Sequence, residues 1–83
     1  MSITVNVRFL CREAVGNARN GEYLLPDPCT VREFMERAEA ENKTFVKDYM
    51  EHVLFMVNGK RAEAETALKN GDQIMVLSVV YGG

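Results

Sequence analysis

Tryptophan is absent from this 83-residue chain, histidine occurs once, and cysteine and proline occur twice each. His52 has no second ligand or base at a suggestive spacing, so neither a metal site nor an acid–base pair can be built around it from the sequence. Cys11 and Cys29 have 17 residues between them and adjoin no histidine, which is neither a zinc-ligand spacing nor a CxxC redox pair. They read as two reduced thiols, partly buried as small core residues. Long apolar runs are missing too. Ile3–Leu10 is interrupted by Asn6 and Arg8, and Leu54–Val57 stops at Asn58-Gly59, far short of the ~20 residues a membrane span needs. Met1-Ser2 carries no basic run of the signal-peptide kind, so a soluble, cytoplasmic protein is expected. A positive field is also lacking: formal net charge is -2 and the pI about 5.3, which argues against nucleic acid and anionic lipid as partners.

What is present is enough apolar material, 47% of residues, for one core in a chain of this size. Ile3, Val5, Val7 and Phe9 alternate with Thr4, Asn6 and Arg8, the period-two pattern of a strand with one buried face. Glu13–Gly21 carries Gly16, Asn17, Asn20 and Gly21 and reads as a loop before a second strand near Glu22–Leu25. Pro26 and Pro28 close that strand. Thr30-Val31-Arg32-Glu33 is a capping box that opens a helix, with Val31, Phe34, Met35 and Ala38 on one face and Arg32, Glu36, Arg37 and Glu39 opposite. Residues 45–53 read as a second short helix or a turn. Leu54–Val57 is a third strand, ended by the hairpin signal Asn58-Gly59 and followed by a short fourth strand near Lys60–Ala64. Gln73–Val80 is apolar with almost no polar break, as a central strand covered on both faces would be.

Only a few compact folds accept the order β-β-α-β-β-β. Setting the last strand beside the first in parallel, with the helix as a right-handed crossover, gives an α+β, β-grasp (ubiquitin-like) fold: a mixed sheet of four to five strands on one main helix. Residues 1–80 form the expected single domain, and 81–83 a flexible tail.

That tail is Tyr81-Gly82-Gly83. Two terminal glycines bury no side chain and lose the most backbone entropy on ordering, and at average glycine usage such a pair arises by chance in roughly 0.5% of chains. A glycine pair is the thinnest backbone available, able to thread a narrow channel and bring a carboxylate to a reactive centre elsewhere. The carboxylate must first be activated, most simply by adenylation with ATP. This chain has no GxxxxGK[ST] or comparable glycine-rich turn for ATP, so no cofactor is expected on it and the ATP is expected on an activating partner.

Several stretches then resemble the MoaD/ThiS family of sulfur carriers, particularly the small subunit of molybdopterin synthase. They are Phe9-Leu10-Cys11-Arg12-Glu13-Ala14-Val15-Gly16, similar to the family's Leu-Arg-Glu-x-x-Gly; Thr30–Phe34; Val57-Asn58-Gly59; Leu68–Ile74; and Gly82-Gly83. The resemblance implies that an E1-like enzyme (MoeB/ThiF-like) adenylates Gly83, that Gly83 becomes a thiocarboxylate, and that Gly82 gives access. It also implies that the tail enters either the larger molybdopterin synthase subunit or a thiazole synthase, the domain itself not being an enzyme. Cys11 interrupts the motif, and Tyr81 stands where the family usually has a small residue. The Arg12-Glu13 stretch favours the molybdopterin branch, whereas the proline-free Leu77–Val80 approach leans toward ThiS.

Alternation on the last strand puts Ile74 and Val76 toward the helix and Met75, Leu77 and Val79 on the outer face, alongside Phe55 or Val57. Such a patch, with Tyr81, would be a partner-docking surface; the alternative is that neighbouring strands and loops cover it. Arg8, Arg12, Lys60 and Arg61 either steer an acidic partner or are simply solvated. Two further readings of the chain stay open: a modifier joined through Gly83 to lysines of target proteins, and a noncovalent interaction module whose glycines are incidental.

Overall fold

The alternation that begins at Ile3 builds β1 (Ser2–Leu10), whose odd-numbered residues from Ile3 to Phe9 are all buried. In the computed structural model, which describes residues 1–79, β1 pairs antiparallel with β2 (Gly21–Pro26) and parallel with β5 (Gln73–Ser78). β3 (Val53–Val57) lies antiparallel to β5 on its other side and carries β4 (Lys60–Ala62) at the edge. The five-stranded order is β2-β1-β5-β3-β4, so the expected central place of β5 is borne out.

One main helix, α2 (Val31–Asn42), covers the inner face. Its start follows from the capping box. Thr30 Oγ1 accepts from the Glu33 amide at 3.2 Å while Glu33 Oε1 accepts from the Thr30 amide at 3.1 Å. Two more first-turn amides, of Val31 and Arg32, donate to the carbonyls of Thr66 and Ala64, so the loop after β4 helps finish the helix end. Val31, Phe34, Met35 and Ala38 are fully buried, as their spacing predicts. Phe34 stacks on Phe9 with ring centroids 6.2 Å apart and meets Tyr23 edge-on at 5.5 Å, joining helix to sheet.

The expected loop over Glu13–Gly21 contains a one-turn helix, α1 (Arg12–Val15). Ala14 and Val15 bury themselves in the core, and burial sets this turn where local composition reads as loop. Gly16 ends it at φ +63°, with Thr44 so close that a Cβ would sit 3.0 Å from the Thr44 Cβ. The second amphipathic stretch is a 3-10 turn, Tyr49–His52. β4 is shorter than expected, ending at Ala62, because beyond that residue the chain turns away to supply the carbonyls that α2 needs.

Polar groups join the loops at one end of the sheet. Asp72, the one buried charged residue described, accepts from Asn58 Nδ2 and the Lys69 amide, each at 2.8 Å. Asn58, in the hairpin turn at φ 53°, also accepts from the Gln73 amide. The turn before β5 is thus tied to the turn after β3. At the β2 edge, the outward carbonyl of Glu22 accepts from Arg19 Nη1 at 2.8 Å, and Arg19 lies over the Tyr23 ring and pairs with Glu41.

Phe34 has no exposed surface and touches both sheet aromatics, so Phe34→Ala should cost roughly 3–5 kcal/mol. Urea denaturation followed by circular dichroism would measure this, and a loss below ~1 kcal/mol would contradict the packing described.

Candidate functional site

The ladder registers decide which side chains share the outer face. Val76 and Ile74 are buried, and their β3 partners Phe55 and Val57 lie on the same inner side. Met75 and Leu77 point outward, half-exposed, as their alternation with Ile74 and Val76 predicts. Val79 is half-exposed just beyond β5.

Phe55 corrects the sequence reading. It was expected beside the outward residues but is 6% exposed and belongs to the core, because antiparallel pairing sets it opposite Val76. The outward β3 residues are Leu54, opposite Leu77, and Met56, opposite Met75. On the other side Leu10 pairs with Leu77 and Arg8 with Met75. The signal for Leu54 and Met56 was present in the period-two run Leu54-Phe55-Met56-Val57 once one of its residues is placed. Leu10, 49% exposed, ends the same alternation that buries Phe9.

Two cross-strand rows result. One reads Leu10, Leu77, Leu54; the other reads Arg8, Met75, Met56, Arg61, since Arg61 pairs with Met56. The first is wholly apolar, and the second is apolar at its centre with a guanidinium at each end. Neither Arg8 nor Arg61 forms a salt bridge among the described residues. The opposite end of the face, around Thr4, Asn6, Glu22 and Gln73, is polar. The apolar half therefore lies at the end of the sheet where β5 finishes. Tyr81, Gly82 and Gly83 lie outside the described residues, as does the expectation of a flexible tail.

Cys11 and Cys29 are buried and unbridged. Burial, helped by the nearby Glu13 carboxylate, pushes the Cys11 thiol up to about 11, and burial likewise raises Cys29. His52 is exposed, and among the described residues no cluster of histidine, cysteine and acidic side chains could hold a metal ion. No helix among them is long and apolar enough to cross a membrane.

A mixed five-stranded sheet grasping one main helix, with an apolar outer face at the end of β5, defines a ubiquitin-like protein of the β-grasp class. The model of the ThiS family matches residues 10–83, and the chain belongs to that family. No curated protein matches the sequence. Among solved structures, the Haloferax volcanii protein HVO 2177 is 27% identical with a TM-score of 0.75, covering 99% of this chain and 88% of that one. A Pyrococcus furiosus protein named molybdopterin converting factor, subunit 1, is 22% identical with a TM-score of 0.65, over 94% of this chain and 99% of that one. SAMP1 from Haloferax volcanii is 18% identical with a TM-score of 0.66, over the full length of both chains.

Adjacent residues of β3 should respond oppositely to the same change. Phe55→Asp, which buries a carboxylate, should abolish the cooperative thermal transition, whereas Met56→Asp should shift the midpoint by only about 5 °C or less. Equal effects would contradict the register. With its thiol held near 11, Cys11 is thiolate in only about one molecule in a thousand at pH 8. Labelling by a disulfide reagent at that pH should be slow in the native protein and complete on denaturation; rapid native labelling of Cys11 would overturn its buried placement.

Proposed function

We propose that this chain is a sulfur carrier whose working group is the Gly83 carboxylate. The observation that carries the reading is the Gly82-Gly83 pair at the end of a family match that runs to residue 83. In the proposed cycle a Gly83 carboxylate oxygen attacks the α-phosphorus of ATP on an E1-like partner, releasing pyrophosphate. Hydrosulfide supplied by the partner system then adds to the acyl carbon and expels AMP, losing its proton to leave a C-terminal thiocarboxylate. The domain catalyses neither step. It supplies a carboxylate that reaches a distant active site and a surface by which the partner recognises it.

The outer face suits that second task. Leu10, Leu54, Met56, Met75 and Leu77 offer an apolar centre, and Arg8 and Arg61 offer flanking charge that favours a partner with acidic groups around an apolar patch. The Arg12-Glu13 stretch supports molybdopterin synthesis as the destination of the sulfur, with the larger synthase subunit as acceptor. Thiazole synthesis is the alternative within the same chemistry. A modifier role is favoured by a separate observation, the shared fold with a Methanosarcina acetivorans structure named small archaeal modifier protein 1.

Mass spectrometry of protein produced with its activating enzyme and a sulfur source distinguishes these readings. The carrier should show one terminal oxygen replaced by sulfur, the modifier a branched link between Gly83 and a lysine. An unmodified terminus, with function surviving deletion of Gly82-Gly83, would overturn both.

A further inference from the structure

The chain holds three Asn-Gly pairs, Asn20-Gly21, Asn58-Gly59 and Asn70-Gly71, which neither the docking face nor the terminal glycines use. The fold gives all three asparagines the same task. Each side-chain oxygen accepts from a strand amide at the end of a ladder: Asn20 Oδ1 from Phe9 at 2.7 Å, Asn70 Oδ1 from Thr4 at 2.8 Å, and Asn58 Oδ1 from Gln73 at 2.9 Å.

Asn-Gly is also the pair in which the backbone most readily attacks its own side chain, because glycine has no Cβ to obstruct the approach of its nitrogen to the asparagine Cγ. The glycine nitrogen gives its proton to hydroxide and bonds to Cγ. The bond from Cγ to Nδ2 breaks, and ammonia leaves with a proton from water. Water then opens the resulting five-membered imide at either carbonyl, to aspartate or to isoaspartate. The reaction therefore needs a glycine amide that is not already committed to an acceptor and a Cγ free to reach it.

The three glycines differ on the first count. The Gly71 amide donates to the Thr4 carbonyl at 2.7 Å. The Phe9 amide faces β2, so by the alternation of the strand Val7 does too, and Gly21, opposite Val7, turns its amide into the ladder. Gly59 is exposed in the β3–β4 turn at φ +82° with open space around it, and among the described residues its amide has no hydrogen-bond acceptor.

What restrains this pair is the side chain. Asn58 Nδ2, the nitrogen that must leave, donates to Asp72 Oδ1 at 2.8 Å while Oδ1 is held by the Gln73 amide. Asp72 is fixed in turn, its second oxygen accepting from the Lys69 amide and its carbonyl from the Asn6 amide. Cγ cannot swing toward Gly59 without giving up hydrogen bonds at both of its polar atoms.

We propose that Asn58-Gly59 is a self-modification site of the native chain, the imide forming between the Gly59 nitrogen and Asn58 Cγ, and that Asp72 is the lock that sets its rate. The conversion alters the fold. Aspartate at this position puts a carboxylate where an amide now donates to Asp72, and isoaspartate adds a backbone carbon to a two-residue turn closed by Val57 and Lys60. Either product loosens the turn after β3 from the turn before β5, so molecules weaken as they age, whatever they carry.

The test incubates the folded protein at alkaline pH and follows all three pairs by peptide mass spectrometry, with isoaspartate counted by enzymatic methylation. Asn58 should convert first, and denaturant should bring the three pairs to similar rates. Asp72→Ala, and the isosteric Asp72→Asn that leaves one acceptor oxygen for two donors, should each speed Asn58 about three- to tenfold, the range set by one hydrogen bond. Asn20 and Asn70 should keep their rates, and they serve as internal controls because general loosening of the sheet would speed all three. Conversion of Asn20 or Asn70 ahead of Asn58 in the native chain, an Asn58 rate indifferent to Asp72, or equal acceleration of all three pairs in both variants would overturn the proposal. Asn58→Asp, which installs one product directly, should lower the thermal midpoint by about 5 °C. An unchanged midpoint would overturn the claimed weakening.

Discussion

The parallel ladder between β1 and β5, from Asn6–Gln73 to Leu10–Leu77, joins the two ends of the chain at the centre of the sheet, and the other features depend on it. Parallel neighbours cannot be linked by a tight turn, so everything between them must serve as the crossover or be appended to it. α2 crosses the inner face, β3 and β4 extend the sheet beyond β5, and β2 extends it beyond β1. Closing a connection this long costs chain entropy before any contact repays it. The repayment is concentrated in the all-apolar inner rows, where Val76, Ile74, Val7 and Phe9 share one core with Phe34 and Met35.

The same ladder explains why the central strands of the outer face, β1 and β5, are apolar at one end and polar at the other. Register pairs polar Asn6 with Gln73 at one end and Leu10 with Leu77 at the other. A strand buried on both faces would need cover on both; here one face has the helix, and the apolar half of the other, with Met75 and Leu77, is half-exposed where β5 finishes. Two arginines at the ends of a methionine pair limit how such a surface can be engaged, since an apolar partner without carboxylates would leave their charges desolvated and unpaired.

Much of this was legible in the sequence, because local signals agreed with the global arrangement. Thr30 and Glu33 mark the start of α2, Asn58-Gly59 marks the β3–β4 turn, and the near-continuous apolar run after Gln73 points to the central strand. What was not legible depended on contacts between residues far apart. Nothing local distinguishes Phe55 from Met56 until Val76 and Met75 stand opposite them. Ala14 and Val15 become helical through burial against residues near 44–46, where the Val46 amide donates to the Ala14 carbonyl.

The guarding of the sheet's edges has a consequence for how such a molecule lives at high concentration. Arg19 occupies the Glu22 carbonyl, Pro26 has no amide to offer at the end of β2, and β4 is only three residues long. Neither margin invites another copy to add a strand. A strand added at the β4 margin would pair with at most three residues, and one added at the β2 margin would meet a carbonyl already taken and a proline without an amide.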